Sequence, residues 1–250
     1  MPDSKIAIVT GGSRGIGAAT ARKLSALGFS VCINYVSDSK SAQEVAKELR
    51  AQGGRAMSVR ADVSQESDVD RLFALVDDEL GTVTALVNNA GILRPQLRVE
   101  DMTADRINAV LSVNVTSAFL CSKLAIKRMS KKHGGGGGAI VNVSSAASRL
   151  GAAGEYVDYA ASKGAIDSLT IGLAKEVADS GIRVNCVRPG FIYTSMHADG
   201  GEPERIDRVA PSIPLKRGGQ PEEVANAIAW LLSEEASYVT GAFIDAAGGR

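Results

Sequence analysis

The sequence predicts an α/β fold: one doubly wound sheet of seven parallel strands with helices on both faces, single-domain over 1–250. Two patterns predict it. Seven short, β-branched apolar runs recur along the chain with longer helical patterns between them, and near-continuous apolar strands of this kind are buried on both faces. A glycine-rich turn follows the first run directly and leads into the first helical stretch, the junction at which such sheets open toward a ligand.

The strands are expected at Lys5–Thr10, Ser30–Tyr35, Ala56–Ala61, Ala85–Asn88, Ala139–Val143, Arg183–Val187 and Ala242–Asp245. Gly28 follows Leu24 and Leu27 as a C-cap of the first helix. Ser64 is expected to open a helix whose apolar face is Val69, Leu72, Phe73 and Val76, with Gly81 closing it. Pro221 stands at the first turn of a helix bearing Val224, Ile228 and Leu231. The tract Gly134–Gly138 reads as a flexible surface turn before the fifth strand, and it lacks the Lys-Ser continuation of a P-loop.

Composition narrows the function classes. Lys+Arg and Asp+Glu each number 28, and this neutral balance argues against nucleic-acid or membrane partners, which favour a basic face. No apolar run approaches the ~18 residues of a membrane span, and the opening MPDSKIAIVTGG carries no secretion-signal pattern. A cytoplasmic location is expected. Cys32, Cys121 and Cys186 lie far apart in apolar stretches, so no disulfide framework is suggested. With only His133 and His197 besides, no metal is expected.

The turn reads Thr10-Gly11-Gly12-Ser13-Arg14-Gly15-Ile16-Gly17, a Gly-x3-Gly-x-Gly spacing. Gly11, Ser13, Arg14, Gly15, Ile16 and Gly17 are candidates to hold a dinucleotide pyrophosphate: glycines admit its close approach, and the helix N-terminus favours its charge. A ribose diol of NAD would call for an acid at the end of the second strand. The chain offers Asn34-Tyr35 there, with no acid before Asp38, and a cation, Arg14, inside the turn. That set suits a 2′-phosphate, so NADP(H) is expected over NAD(H), which stays possible. The other reading of Arg14 is a solvated loop arginine.

The fifth strand ends in Asn142-Val143-Ser144-Ser145, at the sheet edge where ligands bind. Beyond it, Tyr159 and Lys163 share a helix face at i,i+4. A tyrosine titrates at about 10 and is a weak base at neutral pH; an adjacent ammonium is expected to favour phenolate and lower that value. Tyr156 is the rival, but Ala160 stands four residues after it.

With these residues in place, the chain resembles the short-chain dehydrogenase/reductase family over nearly its whole length. The matches run from the Thr10–Gly17 turn through Asp62-Val63, Asn88-Asn89-Ala90-Gly91, Asn114, Ser145, the Tyr159–Lys163 pair and Pro189-Gly190-Phe191-Ile192-Tyr193-Thr194 to Gly248-Gly249. The resemblance implies a Rossmann-type fold and metal-independent hydride transfer between a nicotinamide cofactor and a small carbonyl or alcohol substrate. It implies Tyr159 as acid/base, Lys163 as its pKa modulator and ribose ligand, Ser145 as donor to the substrate oxygen, and Asn114 as holder of a relay water. Asp62 and Val63 would address the adenine, and Asn89, Ala90 and Gly91 the adenosine ribose. Ile192 and Thr194, following Pro189-Gly190, would address the carboxamide. Asn88 reads as structural, and Ser144 as the lesser of the serine pair.

Two departures stand out. The interval from Ser145 to Tyr159 is one residue longer than in common relatives, and its Glu155-Tyr156-Val157 could line the substrate mouth. The tail lacks the compact Asp-Gly-Gly. The substrate segment, about 191–217, is polar with Met196, His197, Asp199, Glu202 and Arg205, which fits a hydroxylated or acidic substrate better than a steroid. A catalytically silent dinucleotide-binding regulator is the alternative; it would lack Tyr, Lys or Ser, and all are present.

Assembly is expected as a homotetramer, or at least a dimer. On a helix over Tyr159–Ala178, Ala165, Ile166, Leu169, Leu173 and Val177 would pack on the sheet. Ala160, Gly164, Ile171, Ala174 and Ala178, with Asp167 the one charge, would meet a second copy.

Overall fold

A computed structural model describes residues 5–250. The seven strands are β1 (Ile6–Val9), β2 (Ser30–Tyr35), β3 (Ala56–Arg60), β4 (Ala85–Asn88), β5 (Gly138–Val143), β6 (Ile182–Pro189) and β7 (Phe243–Ala246). They form one sheet in the order β3-β2-β1-β4-β5-β6-β7, and each neighbouring pair is parallel. The order reverses between β1 and β4, and the carboxyl ends of the strands at that reversal open the crevice in which such sheets bind ligands.

Each strand is apolar throughout because it feeds two cores. Ile6 and Ile8 point to one side with α3 (Glu66–Glu79), α5 (Ser117–Met129) and α7 (Val157–Val177), packing among Phe73, Cys121 and Ile166. Ala7 and Val9 point to the other, with α1 (Gly15–Ala26), α2 (Ser39–Ala51) and α10 (Pro221–Leu232), among Leu24, Leu49 and Ile228. This alternation is the two-residue period of a strand, here satisfied on both sides. Helix α4 (Ala104–Leu111) continues through a π turn (Ser112–Thr116) into α5. By length and composition alone this run, Ala104–Met129, could cross a membrane. Val110, Ala118, Cys121, Leu124 and Ala125 along it are buried within the protein, which marks it as a core helix.

Three sequence expectations change. Helix α3 begins at Glu66 after Gln65, because Ser64 is held in a turn by the Asp62 carboxylate, which accepts its N–H at 3.0 Å and its hydroxyl at 2.7 Å. The glycine tract is a surface turn at Gly134 and Gly136 but packed elsewhere: a Cβ on Gly135 would lie 2.3 Å from the Arg128 carbonyl oxygen, and one on Gly138 2.5 Å from that of Thr84. Glycine is required there because backbones touch, and Gly138 already belongs to β5.

The third change concerns α7. Ile166, Leu169, Leu173 and Val177 do face the core, but the opposite face is also covered in part within the chain. Ala160 and Ala174 are buried, Ala174 lies 3.5 Å from a Cβ built on Gly241, and Asp167 pairs with Arg188 of β6 at 2.9 Å. Of that face, Ile171 and Ala178 stay exposed, and Gly164 is half-buried with nothing within 4 Å of a built Cβ. The open apolar surface lies a quarter-turn away, in a groove between α5 and α7 lined by Phe119, Ile126, Ala165, Leu169 and Gly172.

Candidate active site

The glycine turn is fastened to the strands on either side of it. Gly12 N–H donates to the Asn34 carbonyl at 2.8 Å, and the Asn89 amide donates to the carbonyls of Thr10 and Gly11 at 2.9 and 3.1 Å. The Thr10 hydroxyl accepts from Asn89 and Ala90 N–H, both at 3.0 Å. A Cβ on Gly17 would lie 2.3 Å from the Gly11 carbonyl oxygen, and one on Gly15 3.1 Å from the Thr194 methyl. The first turn of α1 has no side-chain cap and no acidic residue, so its N–H groups are free to take an anion. This cradle, with Ser13 and Ile16 half-buried on its rim, fits a dinucleotide pyrophosphate.

The ribose end differs from expectation. Asn34 is 1% exposed; its amide donates to Ala61 O at 2.8 Å, and its oxygen accepts from Gly11 N–H at 3.3 Å. Asn34 therefore shapes the turn from below and is not positioned to touch a ribose. Asn89 likewise braces the turn. Arg14 is not a free cation: it pairs with Asp199 of α8 (Met196–Asp199) at 2.6 Å, both groups about half-exposed. Asp38 caps α2, and the Ser41 N–H and hydroxyl hold its carboxyl below the usual range, with Arg14 nearby adding to the effect. Asp62 holds its turn with one oxygen, and Val63 beside it is buried.

At the other end, Ser145, Tyr159 and Lys163 line one cleft of about 530 Å³ with Ile16, Asn89, Pro189, Gly190, Ile192 and Thr194. Lys163 is 3% exposed; its Nζ donates to the Val143 carbonyl at 2.9 Å and lies 5.6 Å from the centre of the Tyr159 ring. Ser144 is structural, its hydroxyl donating to the Lys163 carbonyl at 3.0 Å. Asn114 sits in the π turn, behind Gly91: a Cβ there would lie 3.4 Å from both Asn114 Oδ1 and Lys163 Nζ. Its amide donates to Ile92 O and to Ser162 Oγ, at 3.1 and 3.0 Å, so both amide hydrogens are taken.

Electrostatics correct the tyrosine reading. Burial pushes the Tyr159 hydroxyl up to about 12, with the Ser145 hydroxyl acting weakly the other way. Burial also brings Lys163 down to about 8. Desolvation penalises both charged forms, and it is the first cause of each shift. Tyr159 is thus held as a neutral phenol, a proton donor.

The walls of the cleft are fastened by partners far apart in the chain, and of their residues Arg208 and Arg250 carried no sequence signal. The Tyr156 hydroxyl donates to the Gly200 carbonyl at 3.0 Å, and Arg205 of α9 (Arg205–Val209) pairs with Glu155 and Glu202. Glu155 and Tyr156 do line the cleft, together with His197, Arg205, Arg208 and Arg250. Below Tyr159, Arg106 pairs with Asp158 at 2.8 Å, and the other Asp158 oxygen accepts the Tyr159 N–H at 2.9 Å. Gly248 and Gly249, both at positive φ, pack on Ile213 and Pro214 beneath the substrate segment. Among the described residues, no group of three or more His, Cys, Asp or Glu is placed to hold a metal ion.

Residues 11–250 match the family model described as enoyl-(acyl carrier protein) reductase. The chain is 63% identical over 245 residues to the uncharacterised oxidoreductase YgfF of Escherichia coli K12, covering 98% of this chain and 99% of that protein. It is 40% identical over 245 residues to glucose 1-dehydrogenase 2 of Bacillus subtilis, covering 98% and 94%. The structure superimposes with a TM-score of 0.90 on a short chain dehydrogenase from Burkholderia cenocepacia in complex with NADP, at 34% identity, covering 98% and 97%.

Proposed function

From the premise that the chain belongs to the short-chain dehydrogenase/reductase family, and is thus an NAD(P)-dependent oxidoreductase, we propose that it reduces a small-molecule carbonyl at the expense of NADPH. One observation carries the reading: Ser145, Tyr159 and Lys163 line one cleft, with Lys163 Nζ 5.6 Å from the centre of the Tyr159 ring. Bound NADPH would supply the hydride. The Gly11–Gly17 turn would hold its pyrophosphate, and Ile192 and Thr194 would lie against the nicotinamide end. Ser145 orients the carbonyl oxygen by donating its hydroxyl hydrogen, while its own oxygen accepts from Ala147 N–H at 3.1 Å. Tyr159 then gives its hydroxyl proton to that oxygen as charge develops there. The phenolate left behind is stabilised by the Lys163 ammonium, anchored on Val143 O and therefore unable to swing away. Because both amide hydrogens of Asn114 are engaged, its side chain acts as a brace between Ile92 and the Tyr159 helix.

The pH dependence follows with a definite sign. Reduction needs Tyr159 protonated and Lys163 charged, and both hold below the lysine value of about 8. As pH rises through about 8 the ammonium is lost, and turnover in the reductive direction should fall. A pH–rate profile of kcat checks this; a rate that climbs between pH 7 and 9 would refute the assignment.

For the cofactor, a 2′-phosphate is proposed to replace Asp199 as the partner of Arg14. The NADP held by the Burkholderia relative is consistent with this. Arg14→Ala is expected to lower kcat/KM for NADPH by roughly 10-fold or more, the scale of one charge-assisted contact, and for NADH by less than about threefold. Equal losses with the two cofactors would make Arg14 a general phosphate neighbour.

Assembly is proposed through the α5–α7 groove, where Phe119 is 53% exposed and Gly172 meets nothing within 4 Å of a built Cβ. A second copy laid across it in two-fold fashion would bury this apolar surface. Phe119→Glu should dissociate the oligomer in light scattering, whereas Ile171→Glu, a quarter-turn away, should not. A monomeric parent protein would exclude this arrangement.

A further inference from the structure

His197 stands on α8 in the substrate segment and lines the cleft together with Tyr159, Ile192 and Thr194. Its ring is fixed at two points. Nε2 lies 3.1 Å from the Ile192 carbonyl oxygen, and the imidazole stacks on the Phe191 ring, with 6.5 Å between centroids and 28° between planes. A carbonyl oxygen can only accept, so Nε2 carries the hydrogen. Burial is the first cause holding the imidazole below the ordinary histidine range; the Ile192 carbonyl and Glu202 act the other way, and Arg205 adds to the lowering. The ring is therefore neutral at pH 7, and Nδ1 presents a lone pair.

That lone pair is enclosed and has no donor. Nδ1 is buried, and among the described residues no group donates to it. Donors around the cleft are committed elsewhere: Arg205 and Arg208 to Glu155 and Glu202, the Tyr156 hydroxyl to the Gly200 carbonyl, and the Ser144 hydroxyl to the Lys163 carbonyl. Ser145 and Tyr159 serve the substrate's carbonyl oxygen. An acceptor taken out of water and left unpaired is costly. A ligand that brings a donor removes that cost, and one that carries a methyl group in its place keeps it. An anionic group only accepts and has nothing to offer this nitrogen. An ammonium donor is disfavoured by the Arg205 guanidinium, whose charge already acts on the same ring. A neutral hydroxyl suits both conditions.

We propose that His197 Nδ1 accepts a hydrogen bond from a hydroxyl group on the substrate's carbon skeleton, which makes the substrate a hydroxyaldehyde or hydroxyketone and His197 a specificity-determining residue. The inference rests on the reductase reading for the carbonyl end. It deepens that reading by naming the substrate class.

The test measures kcat/KM with NADPH in two pairs in which a methyl group replaces each hydroxyl: glyceraldehyde against 2-methylbutanal, and 3-hydroxybenzaldehyde against 3-methylbenzaldehyde. Two replacements divide the functions of the ring. His197→Asn keeps an acceptor oxygen where Nδ1 stands and loses the donor to Ile192. His197→Gln keeps a donor nitrogen where Nε2 stands and loses the acceptor. In at least one pair the ratio of hydroxylated to methylated substrate should fall by about 10-fold or more in His197→Gln, the scale of one hydrogen bond to a group otherwise left unpaired. In His197→Asn the same ratio should stay within about threefold of the parent. Each ratio is compared with the parent's, so the intrinsic reactivity of the aldehydes cancels. Ratios unchanged in both variants, lowered alike in both, or lowered in His197→Asn alone overturn the proposal.

Calorimetric binding of the corresponding alcohols to the NADP-loaded protein separates this proposal from the reductase reading. Tighter binding of the hydroxylated alcohol, lost in His197→Gln and kept in His197→Asn, with no aldehyde turned over sustains the hydroxyl site and removes the reductase reading. Turnover of the aldehydes with ratios that neither variant changes removes the hydroxyl site and leaves the reductase reading standing.

Discussion

Tyr159→Phe is expected to lower turnover by at least ~100-fold, the lower end of what a positioned proton donor supplies, while NADPH binding stays within about threefold. The substitution keeps the ring over which Lys163 sits at 5.6 Å and removes the one hydroxyl whose proton the reduction requires. Ser145 remains able to polarise the carbonyl, so a residual rate should persist. That rate should also lose the decline above pH 8, because the charge on Lys163 then has no phenolate to stabilise. Steady-state kinetics, together with fluorescence titration of NADPH, check both statements. Near-normal turnover in this variant would take Tyr159 out of the mechanism.

Asp158→Ala should be the most damaging change to stability outside the hydrophobic core. The Arg106 and Asp158 side chains are 14% and 3% exposed. Besides Asp158, the guanidinium reaches the Pro95 carbonyl at 2.7 Å, and its NH2 nitrogen is buried without a partner. Removing the carboxylate strands a buried cation, which costs about 3–5 kcal/mol; in a chain of this size that corresponds to a fall in Tm of roughly 10 °C. Turnover should fall as well, since Asp158 also accepts the Tyr159 N–H at 2.9 Å and fixes the helix turn on which the proton donor sits. The double variant Arg106→Met/Asp158→Leu, which strands no charge, should recover most of the stability. A single variant melting within about 2 °C of the parent would show that the pair contributes little.

What was legible in the sequence was what neighbouring residues decide. The β-branched runs placed the seven strands to within two residues at each end, because a strand buried on both faces must be apolar at every position. The glycine turn was legible for a similar reason. Gly11 and Gly15 adopt positive φ, and Gly17 faces a carbonyl that no Cβ could approach, so composition and geometry coincide within eight residues. The i,i+4 spacing put Tyr159 and Lys163 on one helix face before any coordinates.

The tertiary structure alone decided which groups are charged, engaged or covered. Asn34 is consumed by Ala61 and Gly11, and Arg14 meets an aspartate 185 residues away. Burial, a property of the whole cleft, pushes the Tyr159 hydroxyl up to about 12. The helix face rich in small residues is covered in part by β6 and the Gly241 turn, through Asp167 and Ala174, which no periodicity within α7 could reveal. Patterning along the chain reports local conformation, whereas desolvation and pairing depend on residues that only folding brings together. The sequence by itself therefore determined the fold and put Tyr159 and Lys163 on one helix face, and the tertiary structure determined how deeply that pair is buried and which group partners Arg14.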